Sequence, residues 1–365
     1  VTNTTNIPFS AILKISDHYV SSVLAYDNIE RLRKLEAVRA YHNITSAFLQ
    51  DAGDSGNVDT DVMLKSVHEL DLQVNNILQT RKARGLEHAA NDAVARLTRE
   101  DIVLPLFPSH TEANYAFSLH KGEMMTIAAR SGVGKTVLAC QMALVMLSLG
   151  RKVLYVCTES TDYEIIERLA GIISGVPHYE ARGKYIDAEK KERFKRAIED
   201  IPRVYGKNFA LIGLHRTKPT AVDMERAIIE FENTRGKLDC VVADYIQDFG
   251  YDKSMRRMNK LEKLEATIDM THDSCISRDI SFILLSQLNR TGLRGERPME
   301  DQIKEAGKIN EKSHIVSFLH RKKLAGDGND AMEDDVTEFY STKARNTRMF
   351  DLRLKWNGTS YISPD

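Results

Sequence analysis

The chain has 365 residues, 42% hydrophobic, 7% aromatic and 28% charged, with 20 Gly and 8 Pro, so it is neither collagen-like nor too polar to fold. Its 51 Lys plus Arg against 52 Asp plus Glu leave a formal net charge of −1, which excludes a polybasic histone-like or membrane-surface binder but allows a basic lining in one cleft. Cysteines at 140, 157, 240 and 275 form no CxxC pair, which excludes a zinc ribbon or disulfide scaffold and points to a reducing cytoplasm.

No basic segment followed by an apolar core opens the chain, so no secretory signal is expected. Ile29, Leu32, Leu35, Val38, Tyr41, Phe48 and Leu49 then predict one amphipathic helix. Met63, Val67, Leu70, Val74 and Ile77, at 4-3-4-3 spacing, predict a second. The turn-rich stretch 51–57 between them suits an antiparallel connection. A third helix is expected over 86–99. These stripes read equally as a plain helical bundle or as an oligomerisation module.

After Pro108 short apolar runs alternate with amphipathic ones. Strands are predicted at 125–129, 153–157, 209–212, 240–244 and 281–286, and helices at 137–149, 162–174, 187–200, 219–234 and 255–278. That alternation predicts an α/β domain with a mostly parallel sheet covered on both faces. The most apolar stretch, 137–149, is too short to span a bilayer and contains Gln141. Two late strands, 336–342 and 349–356, precede a turn at Asn357-Gly358. His314 and His320 share one face of a strand without a companion at ligand spacing, so no histidine metal site is expected.

The chemistry concentrates at strand ends. Ala129, Arg130, Ser131, Gly132, Val133, Gly134, Lys135 and Thr136 follow an apolar strand and open a long helix, the setting of a phosphate-binding P-loop. Its glycines let backbone N–H groups turn inward around phosphate oxygens, and the helix N-terminus adds a favourable dipole. In such a loop Lys135 reaches the β and γ phosphates and the Thr136 hydroxyl ligates Mg²⁺. Asp244 ends the apolar run 238–244, where a carboxylate meets the same ion. Glu159 ends 153–159 and is placed to activate water; the alternative is a solvated glutamate at a loop start. Gln287, after the strand 281–286, is an amide able to sense a γ-phosphate without adding charge; the alternative is a polar turn.

In this order, the P-loop, Thr158-Glu159-Ser160, Asp244-Tyr245-Ile246-Gln247 and Ser286-Gln287-Leu288-Asn289-Arg290 resemble the helicase domain of DnaB-type hexameric replicative DNA helicases. Their P-loop begins with Ala as often as Gly, and usually reads Pro-Ser-Met-Gly-Lys-Thr where this chain has Ser-Gly-Val-Gly-Lys-Thr. Their Asp-Tyr-Leu-Gln signature is here Asp-Tyr-Ile-Gln. Lys304-Glu305-Ala306-Gly307 resembles the family's Arg-Glu-Ser-Gly loop, which lines the DNA channel. Lys343-Ala344-Arg345-Asn346 resembles its Lys-Gln-Arg-Asn segment, which points at the neighbouring subunit's nucleotide.

The resemblance implies a RecA-like P-loop NTPase domain over 104–365, preceded by a small all-α helical hairpin over 1–84 and a linker helix over 85–103. It implies ATP or another NTP with Mg²⁺ as cofactors, single-stranded DNA as track, a homo-oligomeric ring of hexamer type, and a primase or helicase loader as partner. It implies catalytic roles for Lys135, Glu159 and Gln287, with Lys343 and Arg345 serving a neighbour, and a bacterial cytoplasmic location. No counterpart of the globular head that precedes the family's hairpin is legible; the small N-terminus and divergent P-loop suit a phage enzyme.

Two basic stretches are candidates for DNA. Arg256, Arg257 and Lys260 follow the Asp244 strand and read equally as a solvated face. Residues 290–308 carry Arg290, Arg294, Arg297, Lys304 and Lys308 and include the resembled channel loop with Glu305 and Gly307. Neither is interleaved with aromatics, so phosphate contact and not base stacking is expected. A RecA-like recombination or clock-type ATPase, or a DNA-associated assembly factor that unwinds nothing, is the rival reading. The Asp-Tyr-Ile-Gln and Ser-Gln-Leu-Asn-Arg segments argue against the first, and Glu159 with Arg345 against the second.

Overall fold

The structure is a computed structural model that describes residues 86–97, 103–104, 119–251, 253–289, 296–303, 306–321 and 336–362. The helices expected around 29–49 and 63–77 lie outside these residues, as do Arg290, Arg294, Lys304 and Glu305. The chain divides into two compact units, Val1–Thr98 and Arg99–Asp365. In the first, helix α1 (Leu86–Leu97) exposes Leu86, Val94 and Leu97.

In the second unit a short antiparallel pair, β1 (Val103–Leu104) and β2 (Leu119–His120), precedes the main sheet. The main strands are β3 (Met124–Ala129), β4 (Val153–Cys157), β5 (Phe209–Ile212), β6 (Cys240–Asp244), β7 (Ser281–Gln287), β8 (Ile315–Arg321), β9 (Val336–Ala344), β10 (Asp351–Trp356) and β11 (Tyr361–Ile362). They lie in the order β11-β10-β9-β8-β3-β7-β6-β4-β5. From β8 to β5 every pairing is parallel, and β9, β10 and β11 extend the sheet antiparallel.

Side chains alternate across each strand, so both faces of the parallel strands are apolar. Met125, Ile127, Val153, Tyr155 and Val242 pack on one side with α2 (Lys135–Ser148), α3 (Asp162–Ser174) and α5 (Ala188–Tyr205); the four-residue α4 (His178–Ala181) lies between α3 and α5 in the chain. Met124, Leu154, Val241, Phe282 and Leu284 pack on the other with α6 (Ala221–Arg235) and α7 (Lys260–Arg278). Helix α2 buries an almost unbroken run from Leu138 to Leu147, as expected of a helix covered all round. Local chemistry sets the helix starts: α3, α6 and α7 open with capping boxes at Thr161/Glu164, Thr220/Asp223 and Asn259/Glu262.

Two expectations need correction. The helix predicted over 255–278 begins at Lys260, because Asn259 accepts from the Glu262 N–H; Lys253–Arg257 is a short 3₁₀ segment instead. The strand read across His314 and His320 is β8, which lies beside β3 but begins only at Ile315, so His314 precedes it. Its residues Ile315, Val316, Phe318 and Leu319 are buried, and it follows the short helix α8 (Ala306–Lys312) with no Gly or Pro to mark the change. The turn predicted at Asn357-Gly358 is present, with Gly358 at φ +97° and Asn357 Oδ1 accepting from the Thr359 and Ser360 N–H groups; it leads into the unpredicted β11. Among the described residues no helix is long and apolar enough to cross a membrane.

Candidate active site

Register aligns the strand ends that carry the chemistry. Ala129 pairs with Gln287, and Cys157 with Asp244, so the P-loop, Glu159, Asp244 and Gln287 all lie at the carboxyl edge of the parallel strands. The loop leaves β3 and enters α2 through Gly132 at φ +82° and Gly134 at φ +105°. A Cβ at Gly132 would meet nothing, whereas one at Gly134 would overlap the Tyr361 hydroxyl. Glycine at 134 is thus required by a close approach as well as by its backbone.

Lys135 Nζ donates to the Ala129 carbonyl at 3.3 Å, folded back over the loop. Burial lowers its pKa, opposed by the Asp244 and Glu159 carboxylates. Asp244 is buried, and burial pushes its carboxyl up despite hydrogen bonds from the Thr136 and Tyr155 hydroxyls, the latter at 3.0 Å. A buried carboxylate beside a hydroxyl offers oxygen ligands suited to a hard divalent cation, and the nearby ammonium suits phosphate oxygens, so the residues present fit Mg²⁺ with a nucleotide.

Glu159 is exposed at the start of the loop after β4, yet partial burial and the nearby Asp244 and Asp248 carboxylates raise its pKa, against Lys135 and Lys218. Tyr245, joined to Asp244 by a cis peptide, hydrogen-bonds Glu159, and its own pKa is pushed up to about 12, first by burial. Thr158 ties the two strand ends together: its N–H donates to the Asp244 carbonyl at 2.8 Å, and its hydroxyl accepts from the Tyr245 N–H at 3.3 Å. Gln247 holds the end of β7, donating to Ser286 Oγ at 2.5 Å and accepting from the Gln287 N–H at 3.2 Å. The amide of the Asp-Tyr-Ile-Gln segment therefore fixes the strand end that carries Gln287.

Lys343 and Arg345 lie at the opposite edge. Strand β9 runs antiparallel to β8, so Ala344 pairs with Ile315, which pairs with Met125 at the amino end of β3. Four residues of strand, about 13 Å at ~3.3 Å each, separate that level from Ala129. Lys343 Nζ donates to the Asn310 carbonyl, and Arg345 Nη2 to the Glu311 carbonyl at 2.9 Å, both at the C-terminal end of α8. Arg345 is exposed, and the pKa of Lys343 is lowered by burial and then by Arg345.

The candidate DNA cations divide. Arg256 and Arg257 sit exposed in the 3₁₀ segment, and Lys260 is exposed at the start of α7. Gly307 lies in α8, next to the undescribed 304–305, where an added Cβ would meet nothing. Arg297 is committed elsewhere: it binds Asp351 through both terminal nitrogens at 2.6 and 3.0 Å and Glu338 through Nε at 3.1 Å, and it lies 4.7 Å over the Tyr340 ring. Lys308 pairs with Asp269. Within the 290–308 stretch these two residues are thus paired with carboxylates from distant segments. Arg294, Lys304 and Glu305 lie outside the described residues. His314, just before β8, accepts the Met124 N–H on Nδ1 at 3.2 Å, and the four cysteines are buried thiols.

Tyr361 has no signal in the local sequence. It is 2% exposed, its hydroxyl donates to the Val133 carbonyl inside the P-loop, and its backbone is held on both sides by Gln141 of α2, at 2.7 and 2.9 Å.

A family model for the DnaB-like helicase C terminal domain matches residues 113–361. The chain is 26% identical over 253 residues to a probable plasmid replicative DNA helicase of Chlamydia psittaci, covering 67% of this chain and 51% of that one. It is 23% identical over 248 residues to the replicative DNA helicase DnaB of Buchnera aphidicola subsp. Baizongia pistaciae, covering 67% and 52%. The chain spans about half the length of these curated relatives. Among solved structures, it resembles an ATPase domain with a TM-score of 0.66 at 18% identity, over 78% of this chain and 100% of that one. It also resembles a DnaB-like replicative helicase described with its interactions with primase, with a TM-score of 0.64 at 14% identity, over 98% and 84%. At these identities the likeness is one of fold, the RecA-like ATPase arrangement.

Proposed function

The chain belongs to the DnaB-like helicase C-terminal domain family, and from that premise we propose that it is an ATP-driven replicative DNA helicase that moves along single-stranded DNA as a homo-oligomeric ring. The observation that carries the reading is the meeting of Lys135, Thr136, Asp244 and Glu159 at one strand edge, set by the pairings of Ala129 with Gln287 and Cys157 with Asp244. P-loop N–H groups and Lys135 hold the nucleotide's phosphates, and Thr136 and Asp244 hold Mg²⁺, which when bound neutralises phosphate charge. Glu159 takes the proton of the attacking water while the water oxygen bonds to the γ-phosphorus and ADP leaves. Its pKa is raised, which strengthens it as a base, and hydrolysis falls as falling pH protonates it. Gln287, held by Gln247, reports the γ-phosphate.

Lys343 and Arg345 complete the site of an adjacent subunit, since their edge is far from their own P-loop. A closed ring, of hexamer type, meets that need. Arg256, Arg257, Lys260 and the 304–307 segment supply cations and backbone to the strand's phosphates. That relatives are named replicative DNA helicases supports work at a replication fork in a bacterial cytoplasm, and the structural neighbour's interactions with primase make primase the first partner to test.

The test is strand displacement on a forked duplex. The wild-type chain should displace with ATP and Mg²⁺, while Glu159→Gln should bind nucleotide, hydrolyse it barely and displace nothing. ATP hydrolysis without displacement would favour a non-unwinding assembly or recombination factor. Glu159→Gln hydrolysing at the wild-type rate with DNA present would remove the base assignment.

A further inference from the structure

The hairpin that carries Lys343 and Arg345 also reaches the chain's own P-loop. Thr337, near the start of β9, hydrogen-bonds the Tyr361 hydroxyl, and that hydroxyl donates to the Val133 carbonyl. The tyrosine has little freedom to move. Tyr361 pairs with Trp356 across β10 and β11, their rings lie 5.3 Å apart, and Gln141 takes its N–H and supplies a donor to its carbonyl. Gln141 belongs to the helix that the P-loop opens, so loop, helix and last strand are tied at three points.

Planarity of the peptide unit gives this tie a consequence. In a trans peptide the carbonyl of one residue and the N–H of the next point in opposite directions. A Val133 carbonyl held on the Tyr361 hydroxyl therefore turns the Gly134 N–H away from the tyrosine, toward the inside of the loop. A carbonyl freed to swing inward would set a negative oxygen against phosphate oxygens.

We propose that Tyr361 is a positioning residue for nucleotide binding: its hydroxyl holds the Val133–Gly134 peptide with the N–H facing the phosphates. This rests on the nucleotide-hydrolysing reading above and adds a residue outside the loop to it. It does not touch the nucleotide. Because Thr337 orients the hydroxyl, the strand that serves a neighbour's site also sets the geometry of the chain's own loop.

The test compares the full chain with Tyr361→Phe and Thr337→Val, by calorimetric binding of ADP with Mg²⁺, steady-state ATP hydrolysis and nucleotide-free thermal unfolding. Tyr361→Phe keeps the ring and removes the donor, which should weaken ADP about tenfold and raise the KM for ATP by about the same factor. Its kcat should stay within about threefold of wild type, and Thr337→Val should move KM in the same direction by less. A merely structural role would lower the unfolding temperature and leave KM alone; that outcome overturns the proposal, as does wild-type ADP affinity in Tyr361→Phe. If Tyr361→Phe does not fold, Thr337→Val decides by the same two criteria. Lys135→Ala separates the two levels: if it loses ADP while Tyr361→Phe binds normally, only the tyrosine's role fails. If Lys135→Ala binds and hydrolyses normally, the nucleotide reading itself fails.

Discussion

The two edges of the sheet differ in how they hold their charged groups. At the carboxyl edge a single chain gathers Lys135, Thr136, Asp244 and Glu159, close enough for each charge to shift the others. At the amino edge the Lys343 ammonium and the Arg345 guanidinium donate to the last carbonyls of α8, and Arg345 faces solvent. The first arrangement is finished within the fold. The second is two neighbouring cations: burial lowers the pKa of Lys343 first and the Arg345 charge adds to it, a condition that an arriving anion relieves. On the proposed reading, a chain built this way bears both halves of a phosphoryl-transfer site at opposite edges of its sheet.

The comparison breaks most visibly if Arg345 is removed. Arginine fingers contribute roughly 10³–10⁵ in rate, so Arg345→Ala should lose about that much DNA-stimulated hydrolysis while still binding ADP. Lys135→Ala should be inactive for the opposite reason. Mixed rings of the two should regain part of the hydrolysis, because an intact P-loop then meets an intact Arg345 across a subunit boundary. Mixed rings confirmed by subunit exchange that stay inactive would place the arginine's action elsewhere. An active Arg345→Ala protein would leave it as a cap on α8, worth about 1 kcal/mol or less.

Next in size is the amide that holds the sensor. Gln247→Leu removes the acceptor of the Gln287 N–H and the donor to Ser286. Leaving such a group unsatisfied costs about 1–3 kcal/mol, so the urea midpoint should fall and hydrolysis with it. Ser286→Ala, which removes a partner but leaves the Gln287 tie, should do less. Equal effects would mean the hydroxyl matters and the sensor's backbone does not.

How much of this is legible in the sequence depends on distance along the chain. The P-loop, Asp244 and Glu159 are readable because a strand end and the motif following it are local features, and the five strands predicted from 125 to 286 lie where the parallel sheet has them. Tyr361 is not, since 228 positions separate it from Val133 and only the folding back of β9, β10 and β11 joins them. Arg297 is misleading for the same reason: its carboxylates, Glu338 and Asp351, lie 41 and 54 positions downstream. Counting charge along a segment finds cations, but not whether the fold has already neutralised them. β8 is legible only as the strand that carries His320, because a short apolar run without punctuation does not mark its bounds.

Asp244 sharpens the same contrast through stability. Burial raises its pKa above the unfolded value, so the protonated form favours folding; that contribution is present below the unfolded pKa and lost as pH rises through the folded one. Ionising the carboxylate is a cost that a bound cation offsets. Asp244→Asn should therefore lose Mg²⁺-dependent nucleotide binding and yet melt higher without nucleotide, by about 2–4 °C if the gain is ~1 kcal/mol. The gain should shrink as pH is lowered. A variant that melts lower at neutral pH would show that the Tyr155 and Thr136 hydrogen bonds outweigh desolvation. Neither Lys343 nor Arg345 should behave this way, because neither is fully buried.

The smallest effect separates cations that are available from cations that are spent. Removing one cation that pairs with a DNA phosphate should lower the log–log salt slope of single-strand binding by about 0.7. Arg256 is exposed, so Arg256→Ala should show that decrement and leave thermal stability almost unchanged. Arg297 is held in a two-pronged pair with Asp351, a bond to Glu338 and a stack on Tyr340, and its two carboxylate partners raise its pKa above the arginine range. Arg297→Ala should leave the slope unaltered and lower stability, since it strands Glu338 and uncovers Tyr340 of β9. Fluorescence anisotropy of a labelled oligonucleotide, titrated at several salt concentrations, reads both variants in one experiment. A slope that falls with Arg297→Ala would mean that DNA draws the guanidinium out of its carboxylates. A slope unmoved by Arg256→Ala would make the 253–257 segment a solvated face and leave the strand to the 304–307 segment.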